Sequence, residues 1–495
     1  MSERRGSLLS VAGLAPALPL LPALALAIII NAPTLHDYFH GDDYLAFVDM
    51  VSKPFFKHMT EVVTFQDADV YWRPLGELYY YVIWKLFGLN EVAFHAANIS
   101  VFLITLALLY AFCLQAGLGR YVAAGACLFL TLFPNHVVSV SWVTNGPRLV
   151  AVMFAVGALV LLQRAIFTRR LSLEVLAILS FLLAGLADEV ALALAPLLIA
   201  YSYWFDREPS GLPRRTLFRL VPVALIAATL APLQFVMTDH DPSFGVIGIG
   251  WQMPQHFWAL TSKLVLPSQD SISFSEMAAG QWIAGAAGIV GLGFSLAFGS
   301  NRLRFLALWV CLAVLPFTIW ITPLAPARYV YMAAVPFAVI ASWALVSLFE
   351  LARSSSAGIR VSGSLTASAV VAGAVLVAVA FLGSVGASIT HDRDRAFARD
   401  TEQYRVLATD LRTTLPQVPK GSRIVIYYGV WNSFFIWPDA VAKTIYRDPT
   451  IHVVNVPRGQ VESGGPARGP KDVVLFYTGK GFIRAAPPKN ATTAN

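Results

Sequence analysis

Charge is scarce in this chain. Only 13% of its 495 residues are Asp, Glu, Lys or Arg, while 57% are hydrophobic. The mean hydropathy of +0.63 lies outside the range of water-soluble globular proteins. Cysteine is scarcer still. Cys113, Cys127 and Cys311 each sit inside an apolar run, with no CxxC spacing, which excludes a disulfide framework or a Cys-rich zinc site and leaves them as small buried hydrophobes. No internal repeat or heptad is present. No basic stripe interleaved with aromatics accompanies the net charge of +7, so nucleic acid is not an expected partner.

What the chain has instead is a succession of apolar runs, near 8–31, 92–116, 121–141, 146–163, 171–187, 190–205, 216–237, 279–299, 304–322, 329–350 and 363–388. These predict a polytopic α-helical membrane protein of about eleven spans. The first run, entered through Met-Ser-Glu-Arg-Arg, is long enough to span and is read as an uncleaved anchor with a cytoplasmic N-terminus. The loop charges alternate. One set carries Arg4, Arg5, Arg120, Arg164, Arg169, Arg170, Arg207, Arg214, Arg215, Arg219, Arg302, Arg304, Arg353 and Arg360. The other carries Asp37, Asp42, Asp43, Asp49, Glu61, Asp67, Asp69, Glu77, Asp188, Glu189, Asp239, Asp241 and Glu276. By the positive-inside rule the arginine set is cytoplasmic and the carboxylates face out. Arg-rich, Lys-poor inner loops point to a bacterial inner membrane.

Two outer loops are long, 32–91 and 238–278. In the first, Tyr44 to Thr64 and Leu75 to Phe87 mix aromatic and charged residues and are expected to lie along the membrane surface with their rings at headgroup depth. The membrane part is expected over 1–389. From 390 to 495 the pattern changes to a small α/β extracytoplasmic domain, with a helix over 391–415, strands at 423–429, 451–456 and 473–478, and a helix over 438–446.

Residues able to do chemistry crowd the outer ends of the spans. Asp42 and Asp43 follow the first span; one could cap the next helix. A carboxylate pair in low-dielectric surroundings also suits a general base, because burial raises its pKa toward neutrality. Arg73, Arg148 and Arg328 open helices on the same face, where a guanidinium fork either snorkels to headgroups or binds phosphate. Asp67 and Asp69 form a DxD pair that could take a divalent cation, and Asp188-Glu189 fills a tight turn between two spans. His95 and Asn98, on one helix face, and His136 read first as packing groups.

Taken in order, Asp42-Asp43, Tyr71-Trp72-Arg73-Pro74-Leu75, Leu86-Phe87-Gly88-Leu89-Asn90 leading to Phe94-His95-Ala-Ala-Asn98, Phe133-Pro134-Asn-His136 through Trp142 to Arg148, Asp188-Glu189-Val-Ala and Ala327-Arg328-Tyr329-Val-Tyr331 resemble the GT-C superfamily of integral-membrane glycosyltransferases. The resemblance is to the protein O-mannosyltransferase and aminoarabinose-transferase branch and its bacterial relatives, and covers the membrane region to about residue 350. It implies a glycosyltransferase (EC 2.4) that moves a sugar from a polyprenyl phosphate to a hydroxyl of a glycan, lipid or protein acceptor, with inversion. Asp42 would be the base with Asp43 as neighbour or alternative. Arg328, with Arg73 or Arg148, would hold the donor phosphate, and Tyr44, His95, Asp188, Glu189 and Tyr331 would be candidates to contact sugar or acceptor. The rival readings are a lipid or polysaccharide transporter, which would put ionisable groups near midmembrane in broken or repeated helices, and a non-catalytic envelope scaffold.

Overall fold

The computed structural model describes residues 17–66, 71–206, 214–237, 248–267, 272–319, 324–358, 386, 395, 397–427, 438–456, 472–477 and 482–484. It is mostly helical. After α1 (Leu21–Asn31), three helices form the first loop: α2 (Gly41–Ser52), α3 (Phe55–Val63) and α4 (Pro74–Phe87). The bundle continues through α5 (Glu91–Gln115), α6 (Arg120–Leu132), α7 (Asn135–Ser141), α8 (Gly146–Thr168), α9 (Leu171–Ala187), α10 (Ala195–Phe205), α11 (Arg214–Met237), α12 (Gln252–Val265), α13 (Ala279–Phe298), α14 (Asn301–Val314) and α15 (Tyr331–Gly358).

Among the described residues, six helical stretches are long and apolar enough to cross a membrane: Leu18–His36, Glu91–Gln115, Val143–Thr168, Ala279–Phe298, Asn301–Thr318 and Arg328–Leu351. Four shorter apolar helices, Arg120–Leu132, Leu171–Ala187, Glu189–Phe205 and Leu220–Leu233, fall on further predicted spans. The eleventh predicted run, 363–388, lies outside the described residues except for Gly386. The third run is not one rod. It breaks at Phe133-Pro134 between α6 and α7, where proline lacks the N–H a continuing helix needs.

The first loop folds down onto the bundle. Pro74 occupies the first position of α4, and Gly88 (φ 67°) ends it, the favoured residue types at these two places. A Cβ on Gly76 would lie 2.8 Å from the Pro147 ring, and one on Gly146 would lie 2.7 Å from the Tyr79 ring. Glycine therefore lets α4 press against the start of α8. Tyr79 Oη donates to Asn98 Oδ1 (2.7 Å) and Asn98 Nδ2 donates to the Val140 carbonyl (3.0 Å), so Asn98 joins α4, α5 and α7. His136 stacks on Phe102 (4.7 Å, 6°) with Nδ1 2.6 Å from the Phe133 carbonyl. The packing role expected for both residues is thereby visible. Farther on, strand β1 (Ile272–Ser273) pairs antiparallel with β2 (Leu324–Ala325), tying the second outer loop to the segment that leads into Arg328.

The C-terminal part comprises α16 over 397–414, β3 (Arg423–Tyr427), α17 (Pro438–Tyr446), β4 (His452–Val456), β5 (Asp472–Tyr477) and β6 (Phe482–Arg484). The sheet order is β4-β3-β5-β6, with β3 parallel to β4 and β5, and β6 antiparallel. It does not stand apart. One apolar core contains Phe39, Tyr44, Phe47 and Met50 of the first loop, Tyr80 and Tyr81 of α4, and Tyr404, Leu407, Leu411, Val441 and Leu475 of the C-terminal part.

This corrects the interfacial reading of the first loop. The rings of Tyr44, Phe47, Tyr80 and Tyr81 are buried under the C-terminal layer because that layer offers a larger apolar contact than headgroups can. Phe56 on α3, 82% exposed, keeps the character first expected of the whole segment.

Candidate active site

Loops assigned to the outer side meet at one end of the bundle, and they divide their charges unequally. Asp43 is the most firmly held. Its Oδ2 accepts the His40 N–H (2.7 Å), closing the first turn of α2, and its Oδ1 accepts both the N–H (2.8 Å) and Oγ1–H (2.5 Å) of Thr144. Burial pushes its carboxyl up to about 7, against the pull of these three donors. Asp43 therefore ties α2 to the loop between α7 and α8, the structural half of the capping alternative.

Asp42, one residue earlier, is half-buried and has no hydrogen bond or ion pair among the described residues. Burial raises its carboxyl above the ordinary value, while the field of Arg328 pulls the other way. Arg328 is likewise half-buried, and no described carboxylate lies within ion-pairing distance of it. Its guanidinium rests over the Trp142 ring at 4.9 Å and the Tyr329 ring at 5.2 Å, held by cation–π contacts that leave its N–H donors unspent. The His40 ring lies 4.9 Å from Trp142 and within the field of Arg328. Burial, then Arg328, lowers its pKa to about 4, so it is neutral near pH 7.

The other two arginines are committed. Arg73 makes a fork to Glu189, with Nε to Oε2 and Nη2 to Oε1 both at 2.7 Å, and its Nη2 is 3.5 Å from Asp188 Oδ1. Arg148 Nε donates to Asp188 Oδ2 at 2.9 Å. Asp188, fully buried, also accepts the Val190 N–H (3.2 Å). Arg148 lies over the Phe317 ring at 5.2 Å and the Tyr329 ring at 5.5 Å, and its buried Nη1 has no hydrogen-bond partner among the described residues. Buried charges are tolerated when paired in this way. Asp188 and Glu189 thus spend their oxygens on arginine rather than presenting them to a ligand.

Of the remaining expected residues, Tyr44 packs among Phe39, Phe47 and Tyr404, and Tyr331 is buried near Phe102. Both rings serve the core. His95 is fully buried at the start of α5, against the Asp37 backbone. Asp67 and Asp69 lie outside the described residues, among which no group of three or more His, Cys, Asp or Glu is placed to hold a metal. The sequence reading passed over Thr144, Trp142 and Lys263. Lys263 is almost wholly buried on α12, which packs against the turn bearing Arg328. Trp142 stood inside a quoted motif, but no local pattern announces that it will sit beneath an arginine far along the chain.

No family model matches the chain, and no curated protein matches it in sequence. Solved structures do. The fold is similar to that of ArnT from Cupriavidus metallidurans in the apo state, with a TM-score of 0.50 and 15% identity over 95% of this chain and 94% of that one. ArnT bound to undecaprenyl phosphate gives a TM-score of 0.49 at 15% identity over the same shares. The oligosaccharyltransferase of Archaeoglobus fulgidus, tethered with an acceptor peptide containing the NVT sequon, gives 0.51 and 12% identity over 90% of this chain and 64% of that one. At these identities the likeness is one of fold. The chain shares the overall fold of these two proteins.

Proposed function

We propose that this chain is a multi-pass membrane glycosyltransferase that takes a sugar from a polyprenyl-phosphate donor and passes it to an acceptor hydroxyl on the non-cytoplasmic face. One observation carries the reading. Of the charged candidates Asp42, Asp43, Arg73, Arg148, Asp188, Glu189 and Arg328, only Asp42 and Arg328 make no ion pair or hydrogen bond among the described residues, yet Asp42 lies within the field of Arg328, in a chain with the fold of two glycosyl-transferring enzymes. An unspent base next to an unspent guanidinium suits a substrate that brings both a proton to lose and a phosphate to hold.

In this mechanism Arg328 donates to the donor phosphate and stabilises the charge that grows on it. Asp42 takes the proton of the acceptor hydroxyl as its oxygen attacks the anomeric carbon in line. The carbon–oxygen bond to phosphate breaks, its electron pair leaves with the polyprenyl phosphate, and the anomeric configuration inverts. Phosphate is a good leaving group, so no strong general acid is needed. Burial of Asp42 makes it the better proton acceptor. Arg73 and Arg148, bound to Asp188 and Glu189, build the wall beside the reacting groups. The acceptor is a glycan, lipid or protein hydroxyl. By the loop charges, the N-terminus is cytoplasmic and the 390–495 domain extracytoplasmic, in a bacterial inner membrane.

The test compares wild type with Asp42→Asn in membranes given a panel of labelled polyprenyl-phosphate sugars. Wild type is expected to consume one donor and label an acceptor, and the variant is expected not to. No turnover of any donor with acceptor-bearing membranes present would overturn the reading in favour of transport or scaffolding.

A further inference from the structure

Resting on that reading, we propose that His40 is a positioning residue whose ring keys the turn bearing Asp42 to the Trp142–Arg328 platform on one side and to helix α16 of the C-terminal part on the other. The base and the phosphate-binding arginine come from segments nearly three hundred residues apart, and no described hydrogen bond joins them. The described contacts that run from the Asp42 turn toward Arg328 are aromatic. The His40 ring meets Trp142 edge-on at 4.9 Å, stacks on Phe397 at 5.8 Å and 19°, and lies 5.6 Å from Tyr404. Trp142 in turn carries the Arg328 guanidinium at 4.9 Å.

The backbone is fastened in the same direction. Arg405 Nη2 donates to the His36 carbonyl (2.6 Å), the Tyr38 N–H donates to Thr401 Oγ1 (3.3 Å), and the His40 N–H donates to Asp43. His36 and Tyr38 are thus fastened to α16, and His40, two residues on, reaches the platform through its ring. The buried Nδ1 of His40 has no hydrogen-bond partner among the described residues, and the ring is uncharged in the field of Arg328. The contact uses a flat neutral ring, not an acid, base or ligand. A phenyl ring can do the same.

The experiment measures kcat, donor KM and thermal midpoint for detergent-purified wild type, His40→Ala, His40→Phe, Phe397→Ala and Asp42→Asn. His40→Ala is expected to lose about tenfold or more in kcat, since a misplacement of about 1 Å costs rate steeply. His40→Phe is expected to recover to within about threefold of wild type, because stacking geometry is what it restores. Phe397, partly exposed, is the safer variant for folding. Phe397→Ala is expected to lower kcat with an unchanged thermal midpoint.

A His40→Phe protein as inactive as His40→Ala would overturn the inference, because the imidazole would then be doing chemistry. So would a Phe397→Ala protein with wild-type kcat, or an active His40→Ala protein beside an inactive Asp42→Asn. An Asp42→Asn protein as active as wild type removes the underlying reading itself, a separate outcome.

Discussion

Two groups of charge sit at the same end of this bundle and have opposite fates. In one, Arg73, Arg148, Asp188 and Glu189 neutralise each other at 2.7 to 3.5 Å around a fully buried Asp188. In the other, Asp42 and Arg328 feel each other's field but form no pair among the described residues. Residue types are alike, and Arg148 and Arg328 even share the Tyr329 ring, so composition does not separate structure from chemistry here. Satisfaction does. A charge whose hydrogen bonds are complete holds loops together, and one left unsatisfied at a half-buried position stands ready for a ligand.

The sharpest way to break this contrast is to neutralise each group in turn. Asp42→Asn is expected to lower kcat by about a thousandfold, within the usual reach of a lost general base, while leaving the thermal midpoint unchanged. The wild-type pH–rate profile should fall on its acid side at a pKa above the ordinary carboxylate value, because burial raises Asp42 and the protonated acid cannot accept a proton. Kinetics with a radiolabelled donor checks both.

Asp188→Leu should do the reverse in kind, destabilising the fold by about 3–5 kcal/mol by leaving Arg148 buried without its partner. The double change Asp188→Leu with Arg148→Met should recover much of that loss, readable as a thermal midpoint in detergent. Arg328→Gln is expected to raise donor KM by about tenfold, the value of one charge-assisted contact. Its thermal midpoint should hold, since no described carboxylate depends on it.

The smallest effect concerns Asp43. Its pKa is raised to about 7, so the native state keeps a proton that the unfolded chain gives up near the ordinary carboxylate value. The stability this confers is complete at low pH and is lost as pH rises toward 7. Denaturation of wild type and Asp43→Asn at pH 5 and pH 8 should show a smaller pH difference in the variant.

Much of this arrangement was legible beforehand. Apolar runs and loop charges report on the solvent around each segment, which is why most predicted spans fall on apolar helices. The strands at 423–427, 452–456 and 472–477 announce themselves by their own β-rich composition. β6 is three residues long and carries too little pattern to be seen. In the site, Asp42, Arg73, Arg148 and Arg328 were marked by position at helix starts. Whether each would be paired was invisible, because the Arg73–Glu189 and Arg148–Asp188 contacts are 116 and 40 residues long in sequence. Tyr44 and Tyr331 misled for the same reason. A tyrosine near a carboxylate or an arginine looks like a ligand contact until the core that encloses it is known.

The core shared by the first loop and the C-terminal sheet also sets an order of events during synthesis. The Tyr44 carbonyl accepts from Thr444 Oγ1 across 400 residues. At about 5–20 residues per second, a ribosome needs some 20–80 seconds between making the two. Throughout that interval the apolar face of α2 exists with its cover not yet made. The shared core can close only after Thr444 has been made, so the turn bearing Asp42 is synthesised long before it acquires its final shape.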